Sequence, residues 1–375
     1  MLIYGLLTVV TVLLSFFINN SCSKLSYGYS KQQVLNGLSL LSVFLLLFAV
    51  SALRLNVGND YANYVEYFHL IRCKLDFEEV VVPTEPGFNL VCIIIYLLSG
   101  RTENFLLMFA FFAFLTILLF LKGMYDQSEA FPMSFAMFMC MGYYFQTFST
   151  VRYYFALSIA FVSIPYLLNK KWGKFIALIV VGAFFHKSII LVIPMYFLGQ
   201  WAWKKYQTVI LLVFAGTMLV FKSFYIELFY KFYPTYIDTG LMNGGTSYIA
   251  IIRAVAVLIF GIVMYKKVIK DNEANRFYFN LNIGAILVYL AGGFLPDVSR
   301  AGYYLSITQL LLVPALVNGI ESRKLRNTIK VLFYLACALY FLVFLFKEAP
   351  ANGLRILPYQ TFIYHDMVNI LSEVR

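Results

Sequence analysis

Apolar runs about the length of a bilayer crossing recur from one end of this 375-residue chain to the other. A helix needs about 20 largely apolar residues, within a range of about 17 to 25, to cross the hydrocarbon. Runs of that kind lie near 2 to 18, 34 to 53, 105 to 121, 131 to 147, 151 to 168, 206 to 222, 247 to 265, 277 to 293, 301 to 317 and 329 to 346. Hydrophobic residues make up 62% of the chain and charged residues 13%, and its 38 Phe and 29 Tyr would leave large apolar patches on any surface facing water. A water-soluble fold is excluded. The expected class is all-α, a polytopic integral membrane helix bundle in which residues 1–375 form a single transmembrane domain.

Two regions leave the topology open. Residues 174 to 199 read either as one long span or as two short ones meeting at His186, and the segment 87 to 99 (GFNLVCIIIYLLS) is short for a span and suits a re-entrant or interfacial helix. Basic residues collect on the cytoplasmic side, and that bias decides between the choices. If 87 to 99 turns back and the chain reverses at His186, Lys122, Lys170, Lys171 and Lys174 fall inside and only Arg101 and Arg152 outside. The expectation is therefore about twelve spans plus one re-entrant segment, with both termini outside. The first run lacks a basic leader and an A-x-A cleavage site and is read as a span rather than a signal peptide. On this topology the inner loops (KKWGK, QWAWKK, KKVIKDNEANR) are short and basic, which orientation alone explains. The outer segments carry the informative chemistry, above all a candidate catalytic loop at about 54 to 86.

Other chemistries drop out early. The five cysteines are scattered, which indicates neither a disulfide framework nor a metal site. A net charge of +11 without a basic run or RNA-binding motif is an orientation signal, not a nucleic-acid footprint. No nucleotide-binding glycine loop, HExxH or GxSxG pattern stands in a plausible context, so neither a cofactor nor a metal is expected.

What remains is a set of arginines where apolar sequence begins or ends: Arg54, Arg152 in FSTVRYY, Arg253 in SYIAIIRAVAV and Arg300 in DVSRAGYY. A guanidinium is always charged and its planar fork suits phosphate oxygens, so several converging at one depth would cradle a diphosphate. Each could instead snorkel to the headgroups or pair with a carboxylate. His186 stands within residues otherwise almost free of polar groups, where an ionisable side chain is costly and usually functional. A neutral imidazole there can take a proton from a sugar hydroxyl, or merely cap the turn between two short helices. His69 and His365 sit in polar outer segments and carry no such signal. The loop RLNVGNDYANYVEYF, followed by TEPGF, combines Gly58 with Asp60, Tyr64 and Glu85. Carboxylates and tyrosines are common sugar-binding groups. Asp60 or Glu85 could equally serve as catalytic base or lock an arginine in place, whereas Glu66, Asp76, Glu78 and Glu79 read as a solvated helix face.

Taken in order, Arg54, Gly58, Asp60 and Tyr64, then Glu85 to Phe88, then Phe148 and Arg152, then Ala183, His186 and Ser188, then Ser299 and Arg300 before Tyr303 and Tyr304, this sequence resembles the EpsG family of membrane polysaccharide polymerases, within the wider Wzy-type group. One departure is Tyr153, where the family often has Gln after the arginine. The resemblance implies a metal-independent glycosyltransferase working on the outer face of the cytoplasmic membrane. Its donor would be a glycan on undecaprenyl diphosphate, moved as a block onto a hydroxyl of another lipid-linked repeat unit. Further partners would be membrane lipids and a chain-length regulator. Arg152 and Arg300, with Arg54 and Arg253, would hold the diphosphate. His186 or Asp60 would be the base, and Tyr64, Glu85 and Tyr303 would contact glycan. O-antigen ligase is the nearest alternative in chemistry. A membrane O-acyltransferase would leave the outer arginines unexplained, and a lipid-linked glycan flippase would be expected to show matching broken segments in its two halves, which are not seen.

Overall fold

The computed structural model describes residues 1–19, 31–76, 80–202, 205–232, 248–295 and 298–363. His365, Glu78, Glu79 and much of the outer loop 223 to 246 lie outside the described residues. The chain is helical: α1 (Leu2–Ser15), α2 (Lys31–Ala52), α3 (Tyr61–Leu75), α4 (Pro86–Leu98), α5 (Phe105–Gln127), α6 (Phe131–Cys140), α7 (Tyr143–Gln146), α8 (Val151–Leu168), α9 (Trp172–Ala183), α10 (Val192–Gly199), α11 (Lys205–Val220), α12 (Lys222–Phe232), α13 (Tyr248–Met264), α14 (Glu273–Ala291), α15 (Val298–Ser306), α16 (Gln309–Asn318) and α17 (Arg323–Val343). A 3-10 turn, Lys187–Leu191, leads into α10.

Among the described residues, six helical segments are long and apolar enough to cross a membrane, and a seventh if the pair Val209–Val220 and Lys222–Lys231, bent by 88°, counts as one. Five more apolar helices are too short: Leu2–Ser15, Pro86–Leu98, Phe131–Cys140, Trp172–Ala183 and Lys187–Gly199. The protein is thus a multi-pass helical membrane protein, and length and composition do not reach the expected twelve spans. Breaks within apolar runs account for much of the gap. The run 131 to 147 is interrupted at Gly142, whose φ of 79° is left-handed, and the run 174 to 199 is interrupted at His186.

Side-chain contacts set the relative directions. Phe114 of α5 packs on Phe44 of α2, Phe109 lies 4.7 Å from the Arg54 guanidinium, and Tyr125 meets Asn36 at the opposite end, so α2 and α5 run antiparallel. The α3 helix covers the Phe105 end of α5, where Tyr61 stacks on Phe109 at 4.3 Å. Its far end is clamped by Glu103, which takes Arg72 Nε at 2.7 Å and His69 Nδ1 at 2.9 Å.

The segment between α3 and α5 dips into the bundle and returns. Phe88 stacks on Phe112 and Cys92 touches Met108, so α4 runs antiparallel to α5 and begins about 10 Å in from the Phe105 end. Pro86 opens the helix, as proline favours at a first helical position. Both ends of the segment lie toward the α3 end of the bundle, the geometry of a re-entrant segment. From the opposite end rises a hairpin of α9 and α10, closed at its base by Gln200 Nε2 donating to the Leu167 carbonyl at 3.0 Å. The tips meet. Gly87 N donates to Phe184 O at 2.7 Å, and a Cβ on Gly87 would lie 2.7 Å from that same oxygen, so only glycine permits the approach.

At the α3 end, residues 349 to 361 lie across the loop before α3. Leu55, Gly58 and Asn59 amides donate to the carbonyls of Gln360, Arg355 and Leu354, and the Tyr4 hydroxyl donates to Ile356 O at 2.7 Å. The start of α1 and residues 349 to 361 therefore lie on the same side of the bundle.

Candidate active site

The meeting of the two half-crossing segments brings together residues far apart in sequence. Arg152 occupies the first turn of α8 and Arg300 the first turn of α15. A helix N-terminus already presents unpaired N–H donors and partial positive charge, so a guanidinium there intensifies an anion-attracting setting and needs a negative partner. For Arg152 that partner is Glu85, an ion pair formed across the junction between half-buried side chains. The second Glu85 oxygen accepts the Lys187 amide at 3.3 Å, tying α4 to the His186 turn. Phe88, Tyr64 and Tyr67 surround the Arg152 guanidinium at 5.5 to 5.8 Å, and the Tyr64 hydroxyl accepts the Arg152 amide at 3.3 Å.

His186 caps the 3-10 turn and is buried, at 9% exposure. Its Nδ1 lies 2.7 Å from Ser188 Oγ, which lies 3.1 Å from the Tyr304 hydroxyl. That chain fixes the plane of the ring and leaves Nε2 as the nitrogen not engaged by Ser188. Arg300, Arg152 and Lys187 are the charged neighbours of the ring. The Tyr153 ring stands edge-on to the imidazole at 5.4 Å, and its hydroxyl donates to the Arg300 carbonyl at 2.7 Å. The residue that departs from the family pattern thus binds α8, α15 and the His186 turn together.

Two tyrosine pairs on α8 and α15 face opposite sides of this region. Consecutive helical residues point about 100° apart, so Tyr153 and Tyr304 face His186 while their neighbours Tyr154 and Tyr303 face Arg253. On the Arg253 side Gln146 accepts the Tyr154 hydroxyl, and Arg253 lies 5.6 Å from the Tyr143 ring.

The structure therefore gathers His186, Arg152, Glu85 and Arg300 and places Tyr303 and Arg253 next door. Two expected roles do not fit. Arg54 is 2% exposed, held between Phe109 and Phe148 and bonded to Ser51, so it cannot reach a substrate diphosphate. Tyr64 is 4% exposed with its hydroxyl engaged, so it holds Arg152 and offers no face to a sugar. Asp60 stands at the N-cap of α3, half-buried, with Tyr64 and Tyr67 as electrostatic neighbours. Ser188, Tyr304 and Tyr153 were assigned no chemistry from sequence, although all three lie within or beside the motifs. Among the described residues no group of three or more His, Cys, Asp and Glu side chains is placed to hold a metal ion.

The EpsG family model matches residues 38–361, a stretch that contains every residue of this site. The chain belongs to the EpsG family. No curated protein and no solved structure matches it. The family match extends from within α2 to the strap that covers the loop before α3, so in this EpsG family member it takes in both half-crossing segments and both tyrosine pairs.

Proposed function

We propose that this protein is a glycosyltransferase that joins undecaprenyl-diphosphate-linked oligosaccharide repeat units on the outer face of the cytoplasmic membrane. The observation that carries this reading is the convergence of one oriented imidazole with the charges of two arginines at helix N-termini, supplied by three separate segments. Family membership supports it. Charge bias between the loops supports the outer placement of the α3 end.

The acceptor hydroxyl attacks the anomeric carbon of the donor glycan. The bond from that carbon to the diphosphate oxygen breaks, and the electron pair leaves with the diphosphate. His186 Nε2 takes the hydroxyl proton in the tautomer whose Nδ1–H donates to Ser188 Oγ, a tautomer that gives up the weak 3.4 Å cap bond from the Ser188 amide to Nδ1, and the Ser188 hydroxyl donates in turn to Tyr304. Arg300 and Arg152 stabilise the charge that develops on the leaving group, where prearranged donors act most strongly. Glu85 holds Arg152 in the absence of substrate and yields it to the incoming phosphate. Lipid tails need lateral room in the membrane. An apolar crevice of about 280 Å³ between α10, α11 and α14, lined by Met195, Leu198, Phe214, Ile283 and Leu287, reaches Leu305, the neighbour of Tyr304.

Deleting the gene and resolving surface glycan on a gel tests the reaction class. Loss of the ladder with one repeat still on its carrier is the expected outcome. Loss of all attached glycan would instead indicate a ligase or flippase, and an unchanged ladder with altered acetyl content an acyltransferase.

A further inference from the structure

The apolar crevice beside α10 has a definite length, a closed end and an end that meets the charged part of the site. It follows α14 from Asn280 to Ala291, about 16 Å of helix rise, with α10 and α11 as its other walls. Asn280 closes one end by donating to the carbonyls of Gly199 and Trp201 at 2.9 and 3.0 Å, which ties α14 to the base of the α9–α10 hairpin. Small residues make the gap, Gly284 on α14 and Ala215 on α11. A Cβ on Gly284 would meet only Leu305, at 3.5 Å and beyond, so the space in front of it is open. Phe214 and Leu198 line the crevice and are exposed, so it opens sideways to lipid. A dry apolar cavity of about 150 Å³ takes one benzene ring, so about 280 Å³ takes about ten carbons, enough for one chain and not two.

Ala291 is the last residue of α14, and a Cβ on the next residue, Gly292, would lie 2.9 Å from Val298, the first residue of α15. The crevice therefore ends beside the N-terminus of α15, and Leu305 of the same helix forms part of its wall. Arg300, in the first turn, turns away from the crevice, over the Tyr153 ring at 5.9 Å and toward His186. We infer that the crevice holds the isoprenoid tail of the donor, whose diphosphate rests on the N-terminal edge of α15 between the crevice and His186. A single chain below a diphosphate matches the order of one-chain apolar space, helix N–H donors and guanidinium. The proposed reaction decides which of the two lipid-linked substrates this is, and the inference rests on it. The donor's diphosphate is attached to the reacting anomeric carbon, whereas the acceptor's is separated from the attacking hydroxyl by its own sugars. Only the donor has its lipid beside the base and the arginines. The acceptor's tail therefore lies elsewhere, and the carrier diphosphate released by transfer departs through the α10–α11–α14 face.

Binding to the purified full chain in detergent tests this without requiring turnover. The probes are farnesyl diphosphate and inorganic pyrophosphate, titrated against the wild type, Gly284→Leu, Ala215→Leu and Arg300→Gln. The two leucines fill the crevice from different helices. Each should weaken farnesyl diphosphate by about tenfold or more, the scale of overfilling an apolar site, while leaving pyrophosphate unchanged, which also shows that the protein remains folded. Arg300→Gln should weaken both probes by about tenfold, the cost of a charge-assisted bond. Unchanged farnesyl diphosphate binding in either leucine variant would overturn the proposal, as would a parallel loss of pyrophosphate in both. Unchanged farnesyl diphosphate binding in Arg300→Gln would place the crevice away from the reacting diphosphate and overturn the assignment to the donor. Phosphatidylglycerol at equal mole fraction in the micelle should not displace farnesyl diphosphate, and displacement would make the crevice a phospholipid site and also overturn it. Failure of the gene-deletion result would remove the polymerase reading without altering these binding values, so the two failures are distinguishable.

Discussion

Arg54 and Arg152 invite comparison because they look alike in the sequence and differ in the structure. Each stands where an apolar run begins or ends, and each lies over aromatic rings, Arg54 at 4.7 and 5.1 Å and Arg152 at 5.5 to 5.8 Å. Arg54 is sealed. Its bonds go to Ser51 of the preceding helical turn, and a bridge to Thr361 closes over it. Arg152 instead reaches across the junction to Glu85, a residue on a different segment, and remains half-buried. Aromatic surroundings and position at a membrane edge are thus shared by a sealed cation and by one that we propose acts on the substrate. What separates them is whether the charge is answered by its own helix or by a group that another anion can displace.

The largest effects expected from this contrast fall on the open side. Arg152→Lys and Arg300→Lys should each lower polymer per inserted molecule by about 100 to 1,000-fold despite keeping the charge, because an ammonium cannot make two parallel bonds to a diphosphate. Near-normal polymer from both would reduce them to anchors like Arg54. A smaller loss is expected for Glu85→Gln, which keeps a hydrogen-bond acceptor but removes the charge that positions Arg152. Its signature should be a rise in KM for the lipid-linked acceptor exceeding any fall in kcat, and a loss confined to kcat would instead make Glu85 a proton carrier.

On the sealed side, Arg54→Met should leave polymer per inserted molecule within about threefold of wild type. Replacing a buried ion with an apolar side chain of similar volume is often neutral for stability. Abolished polymer from a well-inserted Arg54→Met protein would erase the distinction drawn here. The smallest effect should come from Tyr153→Phe, which loses one hydrogen bond to the Arg300 carbonyl, worth about 0.5 to 1.5 kcal/mol. A drop of about two- to tenfold in activity, with little change in insertion, is the expected reading.

Much of the bundle was legible because apolar periodicity and length are local properties. The short run at 87 to 99 and the interruption at His186 both fall where the sequence suggested, since Pro86 and a polar residue amid apolar ones are signals a few residues long. The fate of Arg54 was not legible. It depends on residues 349 to 361, some 300 positions away, folding back over the loop. The roles of Tyr153 and Tyr304 were hidden for another reason. In a chain this rich in tyrosine, a Tyr-Tyr pair looks like ordinary apolar filling until two such pairs are seen to face each other across α8 and α15. The expected count of spans exceeded what helix length supports because an apolar run does not reveal a break such as the one at Gly142.

His186 decides the central claim, that the junction performs acid–base chemistry rather than merely joining two half-crossing segments. The measurement is polymer formed per unit of membrane-inserted protein for His186→Gln, compared with Asp60→Asn and His186→Leu. An amide at 186 can still bond to Ser188, so insertion should be retained while polymer falls by about 100 to 10,000-fold, the usual cost of losing a general base. Asp60→Asn, at the cap of α3, should retain most of its activity, and His186→Leu should lower the amount of protein as well, because Ser188 loses its partner. An active His186→Gln protein would contradict the account, and if Asp60→Asn were inactive in the same assay the base would belong to the loop before α3.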